Sequence, residues 1–284
     1  MDRHYPVLLA HQKSYARLST NAEAKTCIVF VHGFFGNVTK TWEYFADLCD
    51  SPDVPDAAFF EHSDLYFFDY PAQKAFVKHS ASELAEFLNR LFPRPAMDLF
   101  HLGEEQRVAV RAPWIPYSQL ILVGHSLGAV VIRECIENQF RLPHNRGVPT
   151  WIGMCEIRLF GAAHIGFKVS GRKELLYSLS PEILLSFPLL WRAFSDLQPS
   201  SSVLVSLRSR TESLAKLNPE QKCFRALLLY GTEEDIVIPG EFDCDYVLEW
   251  QKGMNNTQVC KPDESFRDPI KVVTRHAEAE SARA

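Results

Sequence analysis

Residues 119–135 read QLILVGHSLGAVVIREC. The apolar run Leu120–Val123 leads into Gly124-His125-Ser126-Leu127-Gly128, after which apolar residues resume at helical spacing. An unbroken apolar run of this length suits a strand covered on both faces, and the later spacing suits a helix. The five residues between them fit G-x-S-x-G, in which a serine occupies a strained strand-to-helix turn that pushes its hydroxyl into a site. Gly124 and Gly128 carry no side chain to collide where strand and helix come close. The pentapeptide is short, and the strand before it and helix after it give it meaning. Ser126 is therefore the expected nucleophile, with His125 supporting the turn rather than serving as its base.

The same grammar extends outward. CIVFV (27–31), DLYFFDY (64–70), IRLFGAA (157–163) and RALLLYG (225–231) are further apolar runs that read as strands. TWEYFADLCD (41–50), SASELAEFLNRLF (80–92) and LGAVVIRECIENQF (127–140) carry helical patterns between them. Strand and helix in alternation imply an α/β architecture, a mostly parallel central sheet with helices on both faces. The proline-rich stretch 93–118 reads as an excursion ahead of the nucleophile strand. Residues 170–205, apolar and broken by prolines, read as a small cap or lid insertion over the C-terminal edge of the sheet, where open α/β folds bind ligands.

The totals fit one domain spanning residues 1–284. Apolar residues make up 46% and charged residues 23%, as in ordinary globular proteins. A net charge of -5 without a basic cluster argues against a nucleic-acid partner. Seven cysteines without a CxxC read as reduced thiols. With no signal-like start and no membrane-length apolar run, the expected location is cytoplasmic.

A serine nucleophile needs an oxyanion hole, an acid and a base. FVHGFFGN (30–37) ends the first strong strand and is placed to aim a backbone N–H, that of Phe34, toward the same point as the N–H of Leu127. LLLYGTEEDIVIPGE (227–241) offers three acids after a strand, and Asp235 is favoured over Glu233 and Glu234 because Val237 and Pro239 follow it in a turn-like stretch. In the Ser, acid, His order of such sites, only His276 remains after the acid. It lies in a segment that reads as a terminal helix, where a histidine is more naturally a surface residue. The loop after YVLEW (246–250) is better placed to enter the site, but it offers Asn255 and Asn256.

VFVHGFFGNVTKTW (29–42), DLYFFDYP (64–71), LILVGHSLGAVVIR (120–133), GAAHIG (161–166) and GTEEDIVIP (231–239) resemble, in order, motifs of the α/β-hydrolase superfamily, in particular its serine-esterase and lipase-like branch. The resemblance implies Ser126 as nucleophile, Asp235 as acid, and Phe34 with Leu127 as the oxyanion hole. It also implies a catalytic histidine a few residues before VCKP (259–262), at the position held by Asn256. An asparagine amide has no pKa near 7 with which to take a proton. Three readings stay open: an inactivating substitution that holds a substrate or acyl-enzyme, a base supplied by His276, or a naturally impaired hydrolase used for binding.

The expected reaction is cleavage of a carboxylic ester through an acyl-enzyme, with a lactone equivalent at the bond broken. Phe34, Phe35 and the apolar residues Leu184, Leu185, Phe187 and Trp191 favour an apolar, lipid-like ester, with transient membrane contact through the insertion. His32, His125 and His164 fall on separate strand ends and form no metal motif, so neither metal nor other cofactor is expected.

Overall fold

In the computed structural model the chain is described over residues 3–34, 36–51, 53–101, 115–142, 147–167 and 195–275. The apolar runs become β3 (Thr26–Val31), β4 (Ser63–Phe68), β5 (Gln119–His125), β6 (Cys155–Phe160) and β7 (Ala226–Gly231), followed by β8 (Tyr246–Gln251). Two strands precede them, β1 (His4–Leu8) and β2 (Tyr15–Ser19). All eight form one sheet in the order β1-β2-β4-β3-β5-β6-β7-β8. From β4 to β8 neighbours pair parallel, whereas β2 runs antiparallel to both β1 and β4.

The unbroken apolar character of β3 has a direct cause. Cys27, Val29 and Val31 enter one core cluster, while Ile28 and Phe30 enter another on the opposite face. Alternate side chains of a strand point to opposite faces, so a sheet covered on both sides needs apolar residues at every position. The first cluster takes in α3 (Val77–Leu91), α4 (Leu127–Phe140) and α6 (Ser202–Leu217). The second takes in α1 (Phe45–Cys49), α2 (Ala57–Glu61) and α7 (Asp268–Thr274). One further helical turn, α5 (Thr150–Gly153), leads into β6.

Helix α4, which follows the Ser126 turn, is buried on nearly every side, including Arg133, Glu134 and Glu137. Buried charges of this kind must be paired. Arg133 donates through Nη2 to both carboxylate oxygens of Asp245, at 2.5 and 2.6 Å. Glu137 and Glu134 accept from Arg210 of α6 at 2.6 and 3.1 Å. These pairs fix α4, and with it the turn that precedes it.

Three sequence expectations change. Only Phe45–Cys49 of the segment 41–50 is helical. The strand expected at 157–163 ends at Phe160, because Gly161 adopts φ 49° and turns the chain out of the sheet. The terminal helix stops at Thr274, with Arg275 extended, so it continues no further within the described residues. His276 lies outside them, as do most of the 170–205 insertion and its residues Leu184, Leu185, Phe187 and Trp191. Where the chain returns, Ser201 caps α6 by accepting the Leu204 N–H at 3.2 Å. All seven cysteines are free thiols. Among the described residues no helix is long and apolar enough to cross a membrane.

Candidate active site

The turn at residue 126 has the strained geometry its sequence demands. Ser126 has φ 51° and ψ -115°, a backbone conformation that costs a non-glycine residue about 1–3 kcal/mol. The residues on either side hold it there. The Ser126 N–H donates to Phe160 O at 3.0 Å, and Ser126 O accepts from the Ala129 and Ala163 N–H groups at 3.1 and 3.3 Å. A Cβ on Gly128 would meet Val31 O at 2.2 Å, and one on Gly124 would meet the Ala129 backbone at 3.0 Å. Both glycines are required by close backbone approach, and strand and helix meet there as the pentapeptide implied.

Ser126 is only 4% exposed, yet it lines a cleft of ≈ 170 Å³ at the C-terminal end of the parallel strands. Gly33, Phe34, His125, Phe167, Ile236 and Asn256 also line this cleft. The 33–36 loop runs so close that a Cβ on Gly33 would sit 3.0 Å from Ser126 Cβ. Phe34 is therefore at the serine's side of the cleft, and Leu127 is the first residue of α4, where a helix N–H has no partner within its own helix. Both expected oxyanion donors thus flank Ser126. Phe35, placed by sequence beside them, is outside the described residues.

His32 braces this loop. Its Nδ1 lies 2.9 Å from Gly33 O, its Nε2 lies 3.3 Å from Asp69 Oδ1, and its ring stacks on Tyr70 at 4.5 Å. Burial alone would raise the Asp69 pKa, but the contact with His32 and the Lys13 N–H outweigh it and hold the carboxyl below its usual range.

The loop after β8 brings Asn256 into the cleft, where it is 2% exposed. Its Nδ2 donates to Gly161 O at 2.9 Å, and its own carbonyl O lies 2.8 Å from His125 Nε2. Burial depresses the His125 pKa to about 4, so this ring is neutral and donates from Nε2 at ordinary pH. The histidine beside Ser126 thus holds the main chain at position 256 in place. His164 is also buried and stays neutral, because burial and the Arg133 charge push its pKa well down. It accepts from Arg133 Nε at 3.0 Å and stacks on Phe242, so it belongs to the packing under α4.

The acidic turn is zipped to the same loop. Thr232 N donates to Gln251 O at 2.9 Å and Glu233 N to Met254 O at 3.0 Å. This register sends Glu234 inward, where it is buried, and leaves Asp235 exposed at the surface. A Cβ on Gly161 would lie 2.4 Å from Asn256 Nδ2 and 3.3 Å from Glu234 Oε1, so the amide and this carboxylate crowd the same glycine. The acid adjoining position 256 is Glu234, and the sequence expectation of Asp235 falls one residue away on the solvent side. Glu233 is exposed as well.

The strand order, the lone antiparallel β2 and the serine turn after β5 together define the α/β-hydrolase fold. Solved structures of that fold superpose on nearly the whole chain. Esterase B from Lactobacillus rhamnosis, in a structure inhibited by a tributyrin phosphonate, matches with a TM-score of 0.56 and 10% identity, covering 99% of this chain and 86% of its own. The peroxisomal α/β-hydrolase Lpx1 from Saccharomyces cerevisiae matches with a TM-score of 0.53 and 13% identity, covering 100% and 91%. Carboxylesterase CesB from Bacillus subtilis matches at 0.50 and 14%, covering 96% and 92%. Neither a family model nor a curated relative matches the sequence.

Proposed function

We propose that this chain is a serine-dependent carboxylic-ester hydrolase of the esterase and lipase-like kind, in which Asn256 occupies the base position and holds turnover far below that of a complete triad. The observation that carries the reading is the strained Ser126 turn at the cleft, with Asn256 lining the same cleft and buried Glu234 behind it. The likeness to esterases agrees with it. The nucleophile is Ser126, the acid is Glu234 in place of Asp235, and the N–H groups of Phe34 and Leu127 receive the oxyanion.

With an imidazole at position 256 the steps follow from these positions. The ring takes the Ser126 proton as Oγ adds to the ester carbonyl, and the negative charge moves onto the carbonyl oxygen between the two N–H donors. Collapse expels the alcohol, which leaves with that proton, and the acyl group stays on Oγ. Water then repeats the sequence and frees the acid. Asn256 can hydrogen-bond in this position but cannot accept the proton. Removing one member of a serine-protease triad costs ~10⁴-fold or more, while the oxyanion hole and binding retain part of the acceleration.

The experiment is Asn256→His, assayed on p-nitrophenyl esters of graded chain length. The expected result is a rise in kcat/KM of about a thousandfold or more, which Ser126→Ala then abolishes. No gain at position 256, with ligand still held in the cleft, would replace this reading with that of a binding protein built on the same fold.

A further inference from the structure

The cleft beside Ser126 has two unlike banks. One is apolar: Phe34 packs edge-on against Phe167 at 6.1 Å, and Phe167 bridges to Val237, which positions Ile236 in the lining. The other is formed by two loops that pack against each other, through the Cys260 Sγ contact to Thr41 O at 3.6 Å. That bank presents Lys40, Thr41, Thr257 and Lys261 to the cleft. Among the described residues no aspartate or glutamate lines the cleft, although the chain as a whole carries a net charge of -5.

The two lysines differ. Lys261 Nζ shares Glu43, at 3.1 Å in a half-exposed pair that solvent screens. Lys40 is exposed and makes no ion pair among the described residues, so its ammonium is available to a ligand. A cationic rim facing apolar walls, on a protein that is otherwise acidic, concentrates amphiphiles of negative charge.

We propose that the cleft takes an ester bearing an anionic group, a phosphate or a carboxylate, which Lys40 and Lys261 engage while the apolar part lies against Phe34, Phe167 and Ile236. This rests on the reading of the cleft as the ester site, and it adds a charged group to the apolar, lipid-like ester expected from the sequence. The anion is recognised by charge-assisted hydrogen bonds from the two ammonium groups and from the Thr41 hydroxyl, whereas the Thr257 hydroxyl donates to Asn255 Oδ1 at 2.9 Å. The lysines are specificity-determining residues and take no part in proton transfer.

Binding to the native chain tests this without turnover. Octyl phosphate, octanoate and octanol are titrated calorimetrically below their aggregation concentrations, against the native chain and against Lys40→Glu with Lys261→Glu. The expected result is that an anionic probe binds about tenfold tighter than octanol, weakens with added salt, and loses that advantage in the double variant while octanol binding is kept. Preference for octyl phosphate over octanoate assigns a phosphate, and the reverse assigns a carboxylate. Equal binding of all three probes, or an anion preference that survives the double variant, overturns the proposal. If Asn256→His hydrolyses no ester while lysine-dependent anion binding persists, the hydrolase reading fails and the anion subsite stands.

Discussion

Glu234 and Asp235 are neighbours in sequence with opposite surroundings, and exchanging each for its amide separates their roles. The background for the measurement is Asn256→His, so that there is turnover to lose. Glu234 is buried beside Gly161, the same glycine the position-256 side chain crowds, and a carboxylate facing an imidazolium at about 4 Å in an effective dielectric of about 20 gains about 4 kcal/mol. At about 1.4 kcal/mol per decade, removing that charge slows the reaction about a thousandfold. Glu234→Gln keeps the shape and removes the charge, so the loss should fall on kcat for p-nitrophenyl butyrate and leave urea unfolding nearly unchanged. Asp235 is exposed. Asp235→Asn should therefore stay within about twofold of its parent, as screened surface charges do. A thousandfold loss at Asp235 with Glu234→Gln near its parent would refute the assignment and the geometric reasoning behind it.

Three further outcomes follow from the frame of the site. Gly128→Ala should destabilise by about 3 kcal/mol or more in urea unfolding, because its Cβ would enter the Val31 carbonyl at 2.2 Å, although helix propensity alone would favour alanine by about 1 kcal/mol. Asp245→Asn should cost about 3–5 kcal/mol in the same measurement, since it strips the partner from a fully buried Arg133. The depressed pKa of His125 gives a pH signature: between about 4 and 6.5 the unfolded chain binds a proton at this ring that the folded chain does not. Its contribution to stability is therefore present above pH 6.5 and is lost as pH falls toward 4. Denaturation curves of His125→Asn across that window should show a slope smaller by one proton, about 1.4 kcal/mol per pH unit.

What could be read in advance depended on how local its cause was. Strands β3 to β7 were legible because burial on both faces leaves continuous apolar runs, and β3 divides its side chains between two cores as such a run requires. The serine turn was legible because its pentapeptide is a local pattern between a strand and a helix. Only Gly124 is required by nearby backbone, that of Ala129, while Gly128 is required by the Val31 carbonyl on the distant β3. β1 and β2 were missed: HYPVL and YARLS are short and only partly buried, so their pattern is that of the sheet's edge. Helix α6 was missed because its apolar stripe is interrupted by four serines and two arginines, whose value lies in partners such as Glu137. Which carboxylate faces inward was not local at all. Turn chemistry pointed to Asp235, but the backbone pairing of Glu233 with Met254 rotates the preceding carboxylate inward, and that pairing joins segments separated by the whole of β8.

Everything about the chemistry turns on the Ser126 hydroxyl being the atom that attacks, with position 256 controlling its proton. Peptide mass mapping of Asn256→His after reaction with a p-nitrophenyl alkylphosphonate reads this directly. The expected result is one phosphonyl group per chain, on the peptide bearing Ser126, formed far faster than in the native protein. Label on another residue, or equal rates with and without the imidazole, would contradict it.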